Sequence, residues 1–262
     1  MSPKDLKEFD FDFDFDFKYF DLYFILKRRI IMIDISNKWV LITGASRGIG
    51  RQISMAMAEK GCNLILHSRK KENTDAIKAE LSSRKIKLLQ VEAELSDIDQ
   101  VRKLADEAQS LSGGLDILYN NAAIMTQYRA DFYAAVEDEY VQSFKVNTIA
   151  PITLCNMIIP AMIKKGFGRV VNVTSGIKNE PQLMPYAASK AALDKYVYDM
   201  APHLTGTGVL MNLMDPGWLR TDLGGPNAPN PVESVLPGAL VPVLLDDGTC
   251  GKFFHAQDYR KD

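Results

Sequence analysis

From Lys38 onward, short apolar runs rich in β-branched residues alternate with longer stretches whose apolar positions recur at helical spacing. That alternation predicts parallel strands joined by crossover helices. Strands are expected at Trp39–Thr43, Asn63–His67, Lys87–Val91, Leu115–Tyr119, Arg169–Thr174, Val209–Met214 and Gly251–Phe254. Helices are expected at about Ile49–Lys60, Thr74–Ser83, Asp97–Leu111, Ala134–Lys164, Tyr186–Leu204 and Val232–Leu245. Pro151 and Pro160 should bend or end turns of the long fourth helix, because proline offers no N–H. The pattern is that of an α/β fold, a doubly wound parallel sheet of seven strands with helices on both faces.

No linker interrupts this region, so residues 32–262 read as one catalytic-sized domain. Residues 1–31 have a different pattern. From Phe9 to Phe17 phenylalanine and aspartate alternate strictly, which suits a strand with one aromatic and one acidic face. The sheet is already complete after Lys38, and Met32 precedes "IDISNKWVLITG", so residues 1–31 are expected to be a poorly ordered extension outside the folded domain. The apolar run Leu22–Leu26 is far shorter than the ~20 residues of a membrane-spanning helix, and its basic residues follow it where a secretory signal would place them first.

Composition narrows the function little. The chain of 262 residues is 47% hydrophobic and 24% charged with a formal net charge of −2, so nothing points to nucleic acid or an anionic membrane. The three cysteines, Cys62, Cys155 and Cys250, are widely spaced and odd in number, which fits reduced thiols in the cytoplasm and no metal site.

Two constellations carry chemistry. The first is "TGASRGIG" (Thr43 to Gly50), which follows the first strand and opens the first helix. Gly44, Gly48 and Gly50 let backbone approach a pyrophosphate, and Ser46, Arg47 and Ile49 complete a loop whose helix N-terminus offers unpaired N–H groups to the anion. The second strand ends "LILHSRKK", with no acidic residue to take a ribose 2′-hydroxyl. Ser68 and Arg69, together with Arg47, instead present a hydroxyl and two guanidinium forks where a 2′-phosphate would lie, which favours NADP(H) over NAD(H).

The second constellation is "PYAASK", which places Tyr186 and Lys190 four residues apart on one helical face. A free phenol with a pKa of ~10 carries protons poorly at neutral pH, and a nearby ammonium is expected to lower that value. So tuned, Tyr186 would donate a proton to a carbonyl oxygen as hydride reaches carbon. Ser175, at the end of the fifth strand in "VNVTSG", is placed to hold that oxygen, and Asn147, in "KVNTIAP", to position a water near Lys190.

These residues, in this order, resemble the short-chain dehydrogenase/reductase family from about Asn37 to Gln257. The resemblance implies a Rossmann-type fold. "TGASRGIG" resembles the family's cofactor loop, "NNAA" its Asn-Asn-Ala-Gly motif, and Asn147, Ser175, Tyr186 and Lys190 its catalytic tetrad. It further implies that Asn121, Ala122 and Ala123 line the adenosine ribose, that Glu94 and Leu95 in "AELSD" lie near the adenine, and that Lys190 binds the nicotinamide ribose. "DPGWLRTDLGGPNAP" is similar to the carbonyl-reductase-like branch, where Pro216, Gly217 and Thr221 would contact the nicotinamide side. Three features depart from the family pattern: Ala123 replaces a glycine, Glu94 stands where a shorter aspartate is usual, and the loop between Ser175 and Tyr186, with Pro181 and Pro185, is somewhat short.

The function expected is an NADPH-dependent oxidoreductase that reduces a ketone or aldehyde to an alcohol. Ser175, Ile177, Met184, Tyr186 and Trp218 would face the substrate, with Met125, Leu183 and Leu223 making the pocket apolar. The alternatives are a non-catalytic NADP(H) sensor or scaffold and a 3-oxoacyl thioester reductase. A homo-oligomer, dimer or tetramer, is implied by the resemblance, through the helices that carry Asn147 and Tyr186.

Overall fold

The structure is a computed structural model that describes residues 32–260. The Phe/Asp-rich segment expected to be an extension lies outside the described residues. The strands are β1 (Trp39–Ile42), β2 (Asn63–Ser68), β3 (Leu88–Glu92), β4 (Ile117–Asn120), β5 (Gly168–Val173), β6 (Val209–Asp215) and β7 (Phe253–His255). All pair in parallel in one sheet of order β3-β2-β1-β4-β5-β6-β7. The expected Rossmann-type seven-stranded sheet is therefore what forms.

Alternation along the strands divides the core in two, since successive side chains point to opposite faces. Val40, Ile42, Leu64, Leu66, Ile117 and Tyr119 face helix α1 (Gly48–Glu59) and the C-terminal segment. Leu41, Ile65, Leu118 and Val170 face α3 (Ile98–Ser112) and α5 (Ala150–Lys165), which lie on the other side. The short α2 (Asp75–Glu80) follows a 3-10 turn at Lys71–Thr74, and α6 (Met184–Met200) follows β5. The chain runs outward from β1 to β3, then returns to place β4 on the other side of β1. That reversal opens a crevice beyond the carboxyl ends of β1 and β4.

Two helical expectations are corrected. The long fourth helix does run from Glu137 to Lys165 without a break, but as three pieces: α4 (Glu137–Phe144), a π-helical turn at Lys145–Ile149, and α5. Pro151 has no N–H to offer the carbonyl of Asn147 four residues back, which accounts for the widened turn there. This stretch is long and apolar enough by composition to cross a membrane; here Leu154, Cys155, Ile158 and Met162 bury it in the core. The helix expected over Val232–Leu245 is instead two 3-10 turns, Val232–Val235 and Gly238–Leu240, followed by the single turn α7 (Val241–Leu244). Leu236 between them is extended, with φ −95° and ψ 145°, because it precedes Pro237.

Candidate active site

The crevice has two walls. The first is the turn from β1 into α1, built from close-packed backbone. Gly44 and Gly48 take the left-handed conformation, with φ of 65° and 55°. A Cβ on Gly50 would stand 2.1 Å from the Gly44 carbonyl oxygen, and one on Gly44 would stand 3.0 Å from the Cα of Ala122. Thr43 braces the turn: its hydroxyl accepts the N–H groups of Asn121 at 2.9 Å and Ala122 at 3.0 Å. Asn121 returns the brace by donating its side-chain amide to the Thr43 carbonyl at 2.8 Å. No side chain caps α1 and no acidic residue stands in its first turn, so the N–H groups of its first turn remain for an anion. Ser46, Ile49 and Ala123 are partly exposed along the same turn and lip. A dinucleotide pyrophosphate fits this cradle by shape and by charge.

His67, a residue the motifs do not single out, ties this wall together. One ring nitrogen, Nδ1, accepts the Gly44 N–H at 3.3 Å, and the other lies 3.1 Å from the Ala93 carbonyl, to which it donates. Burial lowers its pKa to about 4, against the opposing pull of the Ala93 bond, so the ring is neutral at physiological pH. The only hint of this role in the sequence is a histidine in an otherwise apolar buried strand.

The charged groups expected at the cofactor rim are distributed unevenly. Arg69 is exposed just past β2 and makes no hydrogen bond or ion pair among the described residues. Arg47 instead reaches across the crevice to Asp222 at 2.8 Å, with both side chains 69% exposed. Such a solvated pair contributes little and yields readily to a phosphate. Ser68 is buried and spends its hydroxyl on the Lys70 carbonyl at 2.5 Å. Glu94 turns its carboxylate back onto the N–H and hydroxyl of Ser96, at 3.0 and 3.1 Å, and beside it Leu95 is buried.

The second wall is built from side chains on β5, the π-helical turn and α6. Tyr186 and Lys190 are both buried on α6, with the Lys190 Nζ 5.9 Å from the Tyr186 ring centroid. Lys190 donates to the Val173 carbonyl at 2.7 Å. Ser175 lies just past β5, where its hydroxyl accepts the Ile177 N–H at 3.2 Å and stands near enough to the Tyr186 phenol to act on its titration. Asn147 is fully buried, and its side chain is already committed: it exchanges hydrogen bonds of 2.9 Å with both backbone groups of Ile124 and donates to the Ser189 hydroxyl at 3.0 Å. The side chain thus fixes the loop after β4 to α6 and is not left over to hold a water.

Electrostatics on this wall differ from the expectation. Burial pushes the Tyr186 phenol up to about 12, opposed by the Ser175 hydroxyl and reinforced by the Asp215 and Asp194 charges. Burial also lowers the Lys190 ammonium to about 8, opposed by Asp194. Desolvation dominates, so Tyr186 holds its proton at neutral pH. A protonated phenol beside a serine hydroxyl suits donation to a carbonyl oxygen.

Pro216 is buried at the end of β6, and Gly217 turns with φ 80° against Gln257, whose side chain donates to the Pro216 carbonyl at 2.8 Å. Thr221 lies within reach of Gly48: a Cβ there would stand 3.5 Å from its methyl. This brings the segment after β6 close to the glycine turn. Among the substrate-facing residues expected, Ile177 and Met184 share an open cavity of about 460 Å³ with Pro181 and Ala187. Trp218 stands apart from it, 58% exposed, with its indole N–H on the Gly224 carbonyl at 2.7 Å.

A glycine turn thus stands at the switch point of a doubly wound sheet and is faced by a wall that carries Ser175, Tyr186 and Lys190. The short chain dehydrogenase family model matches residues 38–231, and the chain belongs to that family. Among its relatives, Ketoacyl reductase HetN of Nostoc sp. is 31% identical over 194 residues, 72% of this chain and 66% of that protein. The 3-oxoacyl-[acyl-carrier-protein] reductase FabG of Thermotoga maritima is 30% identical over 191 residues, 72% of this chain and 77% of that one. The chain thus spans just under two thirds of HetN and more of FabG. A crystal structure of a metagenomic short-chain oxidoreductase in complex with NADP superposes with a TM-score of 0.72 at 26% identity, covering 84% of this chain and 97% of that one.

Proposed function

We propose that this chain is an NADPH-dependent reductase that converts a ketone or aldehyde to its alcohol, and runs in reverse when the nicotinamide arrives oxidised. The supporting observation is the side-chain wall, where the buried phenol of Tyr186 meets the Ser175 hydroxyl one helical turn from Lys190. The cofactor supplies the hydride. Ser175 orients the carbonyl oxygen, and Tyr186 gives that oxygen its proton. Lys190 anchors the ribose and favours the phenolate left behind. Asn147 holds the loop after β4 against α6, and the glycine turn holds the pyrophosphate against the N-terminus of α1. Residues 32–262 act as one catalytic domain in this scheme.

NADPH is preferred in this scheme because no carboxylate follows β2 and Arg69 stands free there, with Arg47 beside it once released from Asp222. An NADP complex among structures of similar fold supports the same choice. The segment Asp215–Pro229 supports placing the chain with carbonyl-reductase-like members. Exposed Val141 on α4, Ile149 in the π-helical turn and Tyr198 on α6 support self-association through those helices. A second scheme, reduction of a 3-oxoacyl thioester, is favoured by the names of HetN and FabG.

The test is NADPH consumption by the purified protein, followed by absorbance, over a panel of aldehydes, ketones and acetoacetyl thioesters. Turnover of simple carbonyls is the expected result. Turnover confined to thioesters would select the second scheme, and none with any member would defeat both.

A further inference from the structure

We propose that Asp194 is a positioning residue of the catalytic wall, tying the end of β5 to α6 and standing as the counter-charge of Lys190, so that Ser175 and Tyr186 keep one register. This rests on the reductase scheme above. Tyr186, Lys190 and Asp194 follow one another at intervals of four residues, which sets them along a single stripe of α6. That stripe faces the carboxyl end of β5. Lys190 donates to the Val173 carbonyl at 2.7 Å, and one turn later the Asp194 carboxylate accepts the hydroxyl of Thr174. Val173 at the end of β5 and Thr174 just past it are thus gripped by two consecutive helical turns, and the next residue along the chain is Ser175.

The grip is firm because Thr174 has little freedom of its own. It is 2% exposed, and its N–H is committed to the Met214 carbonyl at 2.9 Å. Asp194 is half-buried, and burial raises its pKa while the Thr174 bond and the Lys190 charge oppose the rise. The other ionisable groups bearing on it are Tyr186 and Tyr198 on its own helix and, from the sheet, Asp215, which pairs with His255 at 3.2 Å. Lys190 has one carboxylate acting on it, that of Asp194. Neutralising Asp194 leaves a buried ammonium with a backbone carbonyl and no counter-charge, so both Lys190 and Tyr186 would release protons at lower pH.

The two parts of the role separate by mutation. Asp194→Asn keeps an oxygen for the Thr174 hydroxyl but removes the charge. Its alkaline limbs for carbonyl reduction and for NADPH affinity should both move to lower pH by about 1 unit. Thr174→Val leaves every charge in place and removes the tether, so turnover should fall about tenfold with the limbs unmoved, and Thr174→Ser should restore it. NADPH affinity is followed by nicotinamide fluorescence, which needs no substrate. Unmoved limbs in Asp194→Asn would overturn the proposal, as would a Thr174→Val protein as active as Thr174→Ser. If Asp194→Asn does not fold, the Thr174 pair still decides the tether. Failure of the reductase scheme looks different: Tyr186→Phe would then consume NADPH as fast as the wild type.

Discussion

The two walls of the crevice do opposite things with the same sheet. At the end of β1 the crevice is lined by backbone: the glycines leave room for a close approach, and the nearby charges, Arg47 and Arg69, sit out in water. At the end of β5 the working groups are side chains taken out of water, and burial moves Tyr186 and Lys190 in opposite directions from their ordinary values. The difference follows from the tasks. A pyrophosphate is held by shape and by many partial charges. A proton transfer needs a donor with its proton in place and an environment that responds to charge, which water would screen.

The contrast breaks most sharply at Tyr186. Tyr186→Phe should leave NADPH affinity near the wild-type value while turnover falls by about 10²–10⁴-fold, because the ring still packs and only the proton donor is lost. Paired measurement of cofactor fluorescence and steady-state rate checks this, and wild-type turnover with chemistry rate-limiting would contradict it.

His67 makes the backbone wall pH-sensitive in the direction its burial sets. Its folded pKa is about 4 against an ordinary value near 6.5, so the unfolded chain binds the proton first as pH falls. Its contribution to stability is complete above about pH 6.5 and is lost progressively down to about pH 4, amounting to about 3 kcal/mol. Urea unfolding midpoints across that range should fall in the wild type and fall less in His67→Gln. An equal fall in both proteins would show that other groups control it.

The smallest effect belongs to the solvated rim. Arg69→Asp should weaken NADPH binding about tenfold and leave NADH binding unchanged or improved, since it replaces a phosphate partner with a repelling charge. Undiminished preference for NADPH in that variant would move 2′-phosphate recognition away from Arg69.

Local pattern was sufficient for the sheet. Each strand is a short apolar run and each crossover is longer, so strand number and parallel pairing follow from chain order alone. The glycine turn and the Tyr186–Lys190 spacing were legible for a similar reason: both are contiguous, and their geometry is set within one or two helical turns. The failed helix over Val232–Leu245 had a local cause as well, Pro237, whose effect on Leu236 outweighed a favourable apolar pattern.

By itself, then, the chain's order of residues determined a doubly wound sheet, a backbone cradle for an anion and a tyrosine–lysine stripe on one helix. Tertiary structure alone decided what surrounds them. That His67 would bind the Gly44 N–H, that Arg47 would cross to Asp222, that the Asn147 side chain would be consumed by Ile124, and that Asp194 would hold Thr174 all depend on partners 20 to 175 residues apart. The Tyr186 phenol is the plainest case. Its neighbour Lys190 is visible in the sequence, but the desolvation that raises the phenol exists only once sheet and helices close over both.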